Sequence, residues 1–233
     1  MSNSTHIVAI GGLPLDVDHS SLLRYLLDLT GKSKPAVGFV GTASGDNPAY
    51  IDRFHTRFSG LDCVPSHLPL FARTPSLEEY LEEQDVLLIG GGNTKSMLAA
   101  WRDWELPELL HQAWERGTVL AGWSAGAICW FEQGVTDSYA DRLDSLACLG
   151  FLEGSCCPHY TGEPDRRPAY HRLLCAGRIG PGYALDDGAG LHFEGGEPAA
   201  VLAPAGTAGV HHVFLEEETV IEEPVSVGRI DLA

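Results

Sequence analysis

The pentapeptide Gly122-Trp123-Ser124-Ala125-Gly126 sets a serine between two glycines, each two residues away. A serine attacks a carbonyl when its Oγ projects clear of the backbone and a neighbouring base removes its proton. The tight strand-to-helix turn that projects it forces adjacent backbones together, so the flanking positions must be small. Gly122 and Gly126 meet that need. The apolar run 119–121 before the serine and the helical pattern 125–131 after it supply the strand and the helix. A helix beginning at Ala125 would aim free amides at a developing oxyanion. Two plainer readings stand beside this one: the pattern arises by chance in a chain with 27 glycines, or Ser124 merely caps the helix.

A second loop, Gly90-Gly91-Gly92-Asn93-Thr94, also follows an apolar run and opens a helical pattern. It lacks the spacing of GxxxxGK[ST] and of GxGxxG, which weighs against a nucleotide phosphate. A glycine amide here would instead complete an oxyanion hole with the amide of Ala125, and Asn93 would fix the loop.

The elements that must carry these loops alternate regularly through the first half. Apolar runs at 6–10, 36–40, 62–67, 86–89 and 119–121 are followed by helical patterns at 20–29, 48–58, 76–82, 94–101 with 107–116, and 125–131. That rhythm predicts βα units closing into a mainly parallel sheet covered by helices on both faces, a three-layer α/β/α sandwich. After about residue 134 one helix is predicted, at 165–176 between Pro164 and Gly177. Short runs at 183–185, 190–193, 199–202, 210–215 and 219–221, separated by Gly, Pro or Asp, predict an antiparallel extension. With no linker, repeat or low-complexity tract, 1–233 reads as a single domain.

Composition narrows the partners. The formal net charge is −17, from 32 acidic against 15 basic residues, and this repels phosphate backbones and anionic lipid. Nucleic acid and membrane are therefore not expected partners. An acidic small substrate would need a local basic group to outweigh the same field. The first five residues are polar without a basic stretch, and no apolar run is long enough to span a bilayer. Cys63, Cys129, Cys148, Cys156, Cys157 and Cys175 form no CxxC pair, so free thiols in a reducing, cytoplasmic compartment are expected. The vicinal Cys156 and Cys157 read as buried filler, with a redox or metal role as the alternative. No metal is expected, and the oligomeric state is left open with a homodimer as one option.

The run Ile89-Gly-Gly-Gly-Asn-Thr94, followed by Gly122-Trp-Ser-Ala-Gly-Ala127, resembles peptidase E, the aspartyl dipeptidase family related to cyanophycinases. Cys157-Pro158-His159-Tyr160 resembles that family's Pro-His segment, and Ala184-Leu185-Asp186-Asp187-Gly188 its later Leu-Pro-Glu-Gly turn. The resemblance implies a fold like class I glutamine amidotransferases with serine on the elbow. It also implies cofactor-free hydrolysis of short peptides through an acyl-enzyme. Ser124 becomes the nucleophile, His159 the base, and the amides of Gly92 and Ala125 the oxyanion donors. Asp187 takes the place of the family's Glu with a shorter side chain, and Asp186 and Asp137 stay open as the third member. Asn93, Arg166 and Arg167 are the substrate-contact candidates, the arginines binding an acidic N-terminal residue or else being solvated helix charge or a salt bridge to Glu163.

Two rival functions remain at this stage. An α/β-hydrolase-type esterase would use His211 or His212 with Asp186 or Asp187, since its chain order runs serine, acid, histidine. A catalytically silent metabolite-binding module would keep the scaffold alone.

Overall fold

A computed structural model describes residues 4–13, 18–204 and 209–232. Its first half alternates as the sequence pattern requires: β1 (His6–Ile10), α1 (Ser20–Asp28), β2 (Ala36–Val40), α2 (Pro48–Phe58), β3 (Val64–Leu68), α3 (Leu77–Glu82) and β4 (Val86–Ile89). Then come α4 (Thr94–Asp103), α5 (Leu106–Glu115), β5 (Val119–Trp123) and the single turn α6 (Ala125–Ile128). Local chemistry sets the helix starts. Asn47 accepts from the Ala49 amide with Pro48 at the first helical position, and Ser76 accepts from Glu79.

The main sheet has eight strands. β1, β5, β4, β2 and β3 pair in parallel. Burial of β1, β2, β4 and β5 on both faces explains why their sequences are nearly continuous apolar runs, while the edge strand β3 reads Val-Pro-Ser-His-Leu and is only partly buried. One face buries Val8, Ile10, Val37, Phe39 and Leu88 against Leu22, Leu23, Leu26 and Phe54 of α1 and α2. The other buries Ile7, Ala9, Leu87, Ile89 and Leu120 against α4 and α5, which contribute Met97, Trp101 and Leu110. The period-two alternation of these strands thus feeds two cores, and the three layers follow.

The second half departs from expectation in content. β6 (Phe131–Tyr139), β7 (Arg142–Ala147) and β8 (Leu152–Cys157) occupy a region in which no strand was predicted, and the helix expected over 125–131 stops after one turn. β6 reads Phe-Glu-Gln-Gly-Val-Thr-Asp-Ser-Tyr and β8 reads Leu-Glu-Gly-Ser-Cys-Cys. Cross-strand partners and burial, not intrinsic β preference, make these segments strands. After α7 (Arg166–Cys175) come β9 (Gly182–Leu185), β10 (Gly190–Glu194), β11 (Glu197–Pro204), β12 (Val210–Glu216), β13 (Thr219–Pro224) and the unanticipated β14 (Gly228–Leu232). They divide between two sheets. β10, β11 and β14 extend the main sheet beyond β1, with β10 antiparallel to β1. A second sheet of six strands runs β13-β12-β9-β8-β6-β7, and α7 packs on it through Tyr170, Leu173 and Leu174. Among the described residues no helix is long and apolar enough to cross a membrane.

One buried polar group on β10 makes stability depend on pH. The His192 ring lies 3.0 Å from His6 Nδ1 and 2.9 Å from the Tyr25 hydroxyl. Burial, and then the neighbouring His6, push its pKa down from 6.5 to about 4, with Glu194 pulling the other way. Between those values the unfolded chain binds a proton that the folded chain refuses, so stability falls as pH drops through that window. Denaturant unfolding at about pH 7 and about pH 4.5 is expected to register a loss of ~2 kcal/mol from this group, absent in His192→Gln. Equal losses in the two proteins would assign the effect elsewhere.

Candidate active site

Ser124 follows β5 at φ 55°, ψ −115°, a backbone conformation that side-chain-bearing residues rarely adopt. The strain is held by close packing on both sides. A Cβ at Gly122 would collide with the Gly126 carbonyl, and one at Gly126 with the Ile89 carbonyl of β4. The Ser124 amide donates to the Ile10 carbonyl at 3.1 Å, which ties the elbow to β1. Its side chain makes no capping bond to α6. The capping alternative is thereby removed, and the hydroxyl faces away from its own helix.

It faces His159. The His159 Nε2 lies 2.9 Å from Ser124 Oγ, and Nδ1 lies 2.6 Å from Asp187 Oδ1. His159 follows β8 just past Pro158 and has φ 55°, so a second strained residue delivers the ring. Asp187 lies beyond β9 and is bridged to Gly12 at the end of β1, with the Gly188 amide donating to the Gly12 carbonyl at 2.9 Å. The hydrogen bond from His159 holds the Asp187 carboxyl below the usual carboxylate range, aided by the His159 and Arg166 charges against the upward pull of burial. An ionised carboxylate only accepts, so Nδ1 carries the ring proton and Nε2 presents its lone pair to the serine hydroxyl. Gly12 and Gly162 pack so tightly on Asp187 that a Cβ at either would collide with its carboxylate.

The other acid candidates are engaged elsewhere, and the other histidine candidates lie away from the serine. Asp186 accepts from Thr161 Oγ1 at 2.7 Å and the Gly209 amide at 2.9 Å. Asp137 pairs with Arg166 at 3.2 Å. His211 and His212 lie on β12, and neither bonds to Ser124. The serine-acid-histidine order of the esterase rival is therefore not the order assembled here.

A cavity of about 370 Å³ opens beside Ser124, His159 and Asp187. Gly91 and Gly92 form part of its wall, and Gly92 has φ 140° with the Ala43 carbonyl where a Cβ would be. Among the described residues the Gly91 and Gly92 amides donate to no backbone carbonyl. Ala125, as first residue of a one-turn helix, has no intrahelical acceptor for its amide. With α6 so short, any oxyanion contact rests on individual amides and not on a long helix dipole.

The three expected substrate contacts lie outside this wall. Asn93 Oδ1 accepts from the Ser96 amide at 2.8 Å, capping α4. Arg166 has a side chain only 2% exposed and is held by Glu163 at 2.6 Å, Asp137 and the Val135 carbonyl at 3.1 Å. A buried guanidinium without such partners would be costly, which is why it is fully engaged. Arg167 pairs with Glu222 at 2.8 Å and lies over the Tyr160 ring. Of the plainer readings of this segment, the salt bridge to Glu163 is found for Arg166, whereas solvated helix charge is not, because the side chain is buried.

Cys156 and Cys157 are buried free thiols. Burial pushes Cys157 up to about 12 and Cys156 well above the ordinary thiol value, so neither offers a thiolate. Sequence reasoning overlooked Gly12, although Gly11-Gly12 directly after the first strand was its signal. It also overlooked the aromatic and basic cavity wall from α2, discussed below.

Comparison with known proteins gives a consistent set of relatives. The model of peptidase family S51 matches residues 7–201. The chain is 48% identical to the uncharacterised peptidase YgaJ of Bacillus subtilis strain 168, over 93% of this chain and 94% of that one. It is 30% identical to peptidase E of Pasteurella multocida strain Pm70, over 61% of this chain and 62% of that one. The crystal structure of a peptidase from an acI-B1 Actinobacterium superposes with a TM-score of 0.75 at 18% identity, covering 98% of this chain and 97% of that chain, which speaks for the fold.

Proposed function

Because the chain belongs to peptidase family S51, and its dipeptidase-like peptidase function follows from that membership and its peptidase E relatives, we propose that it cleaves short peptides by a serine mechanism through Ser124, His159 and Asp187. The single observation that carries this reading is the continuous hydrogen-bonded line from Asp187 through His159 to Ser124, 2.6 and 2.9 Å long, ending on a strained elbow beside a cavity.

The scissile carbonyl lies over Ser124 with its oxygen toward the amides of Gly92 and Ala125. His159 Nε2 takes the Oγ proton as Oγ bonds to the carbonyl carbon. Asp187 stabilises the resulting imidazolium and keeps its ring oriented. The same Nε2–H protonates the departing amine, leaving the acyl group on Ser124. Water then enters, His159 removes its proton, and collapse of the second tetrahedral intermediate releases the acid and restores the hydroxyl. Preorganised donors and positioned general base contribute roughly 10²-fold or more each. The buried free thiols fit a cytoplasmic, reducing setting for this chemistry.

A fluorophosphonate probe tests the reading against the silent-module alternative. Labelling is expected at Ser124, lost in His159→Ala, together with hydrolysis of members of a dipeptide library by the unmodified protein. A native protein that neither labels nor hydrolyses any member is a binding module.

A further inference from the structure

The cavity beside Ser124 extends to the face of α2, where Arg53 and Arg57 line it together with Tyr50 and Phe54. These arginines stand four residues apart, on one helical face. Like charges so placed repel, and Arg57 shows it: burial first, then the Arg53 charge, lower its pKa, with only a smaller opposing pull from Asp18. The Asp18 carboxylate is itself taken by the Ser20 amide and hydroxyl, at 2.9 and 2.6 Å. Among the described residues neither Arg53 nor Arg57 forms a salt bridge, whereas Arg166, Arg167, Arg178 and Arg229 all do. The Arg53 guanidinium carbon lies 5.3 Å from the centre of the Tyr50 ring. Two half-buried, mutually repelling guanidinium groups thus stand without a salt-bridge partner among the described residues, in the wall of the cavity that holds the proposed nucleophile.

An anion resolves that arrangement. A planar carboxylate accepts bidentately from one fork and is shared by a second, relieving the repulsion. We propose that Arg53 and Arg57 are the carboxylate-binding subsite of the cleft, recognising a carboxylate of the short peptide whose scissile carbonyl rests at Ser124. This rests on the assignment of Ser124 as nucleophile. It supplies the local positive field that the net charge of −17 demands of any anionic substrate, and it moves that role from α7 to α2. The aromatic neighbours Tyr50, Phe54 and Trp123 give the same wall an apolar surface for the rest of the ligand.

The carboxylate has two possible sources: an acidic side chain before the scissile bond, or the free C-terminus after it. Hydrolysis of Asp-Leu, Asn-Leu and Asp-Leu-amide separates them. In the unmodified protein one neutralised analogue is expected to lose about 10- to 100-fold in kcat/KM. Arg53→Gln and Arg57→Gln each shrink that ratio, and the double variant brings it near one, while fluorophosphonate labelling of Ser124 continues at the unmodified rate. Loss against Asn-Leu assigns the side chain, and loss against the amide assigns the terminus. An unchanged ratio in the double variant, with labelling intact, overturns the proposal and leaves the nucleophile standing. Absence of labelling in the unmodified protein instead removes the nucleophile assignment. Calorimetric binding of the same three peptides to the Ser124→Ala protein, with and without Arg57→Gln, still decides the arginine pair: an affinity for the acid forms that ignores Arg57 overturns it.

Discussion

Ser124→Ala lowers peptide hydrolysis by ~10⁴-fold or more, to the level that oxyanion contacts and binding alone sustain. The fold survives the change. The hydroxyl makes no cap to α6, and its side-chain partner is His159. Alanine inherits the φ of 55° at no greater cost than serine. Ser124→Gly is equally inactive yet more stable, by about 1 kcal/mol, because glycine takes up this backbone without steric penalty. Inactivity with rising stability is a signature that a merely structural serine does not give. Steady-state kinetics paired with thermal denaturation of both variants checks it, and full activity in Ser124→Ala would falsify the nucleophile assignment.

The second large effect belongs to the acid. Asp187→Asn is expected to reduce kcat by ~10³ to 10⁴-fold, since an amide presents an N–H as readily as an oxygen to Nδ1 and permits the wrong tautomer at Nε2. Asp186→Asn provides the control. Its carboxylate accepts from Thr161 and Gly209, so the substitution costs about 1 to 3 kcal/mol of stability while most of kcat is kept. The depressed pKa of Asp187 sets a further condition on the comparison. Its folded value lies below its unfolded one, so the stabilisation from its hydrogen bond with His159 is present above the unfolded pKa and disappears as pH falls through the folded pKa. The Asp187→Asn protein lacks that acid-side dependence. If Asp186→Asn proves the more damaging to kcat, the two adjacent acids exchange roles.

The parallel half of the fold was legible because its central strands are buried on both faces and therefore written as unbroken apolar runs, such as Val86–Ile89. The second sheet was legible only in part: β9, β12 and β13 fall on the runs predicted at 183–185, 210–215 and 219–221, whereas β6, β7 and β8 were missed. β7 reads Arg-Leu-Asp-Ser-Leu-Ala, with several of its side chains half-buried or exposed, and its strand character is imposed by β6 beside it. Ser124 could be found because its flanking glycines answer a local steric demand. His159 and Asp187 carried no such local signal and emerged from the resemblance to peptidase E. Arg166 misled for a related reason. Its position after the histidine suggested a ligand contact, whereas burial beside Asp137 and Glu163 is visible only in three dimensions. Arg53 and Arg57 had the opposite history. Four-residue spacing on a helix is ordinary in sequence, and only the cavity in front of them gives it meaning.

The three residues in line do not belong to one support. Ser124 rises from the eight-stranded sheet, His159 from the six-stranded one, and Asp187 from the turn where the chain crosses from β9 to β10, between the two. Catalytic competence is consequently a gauge of alignment: a slip of about one ångström between the sheets separates imidazole from alcohol, and the core they share through Ile7, Phe193, Phe131 and Cys156 holds them in register. Substitutions at the seam, remote from any substrate, therefore act on rate before they act on melting.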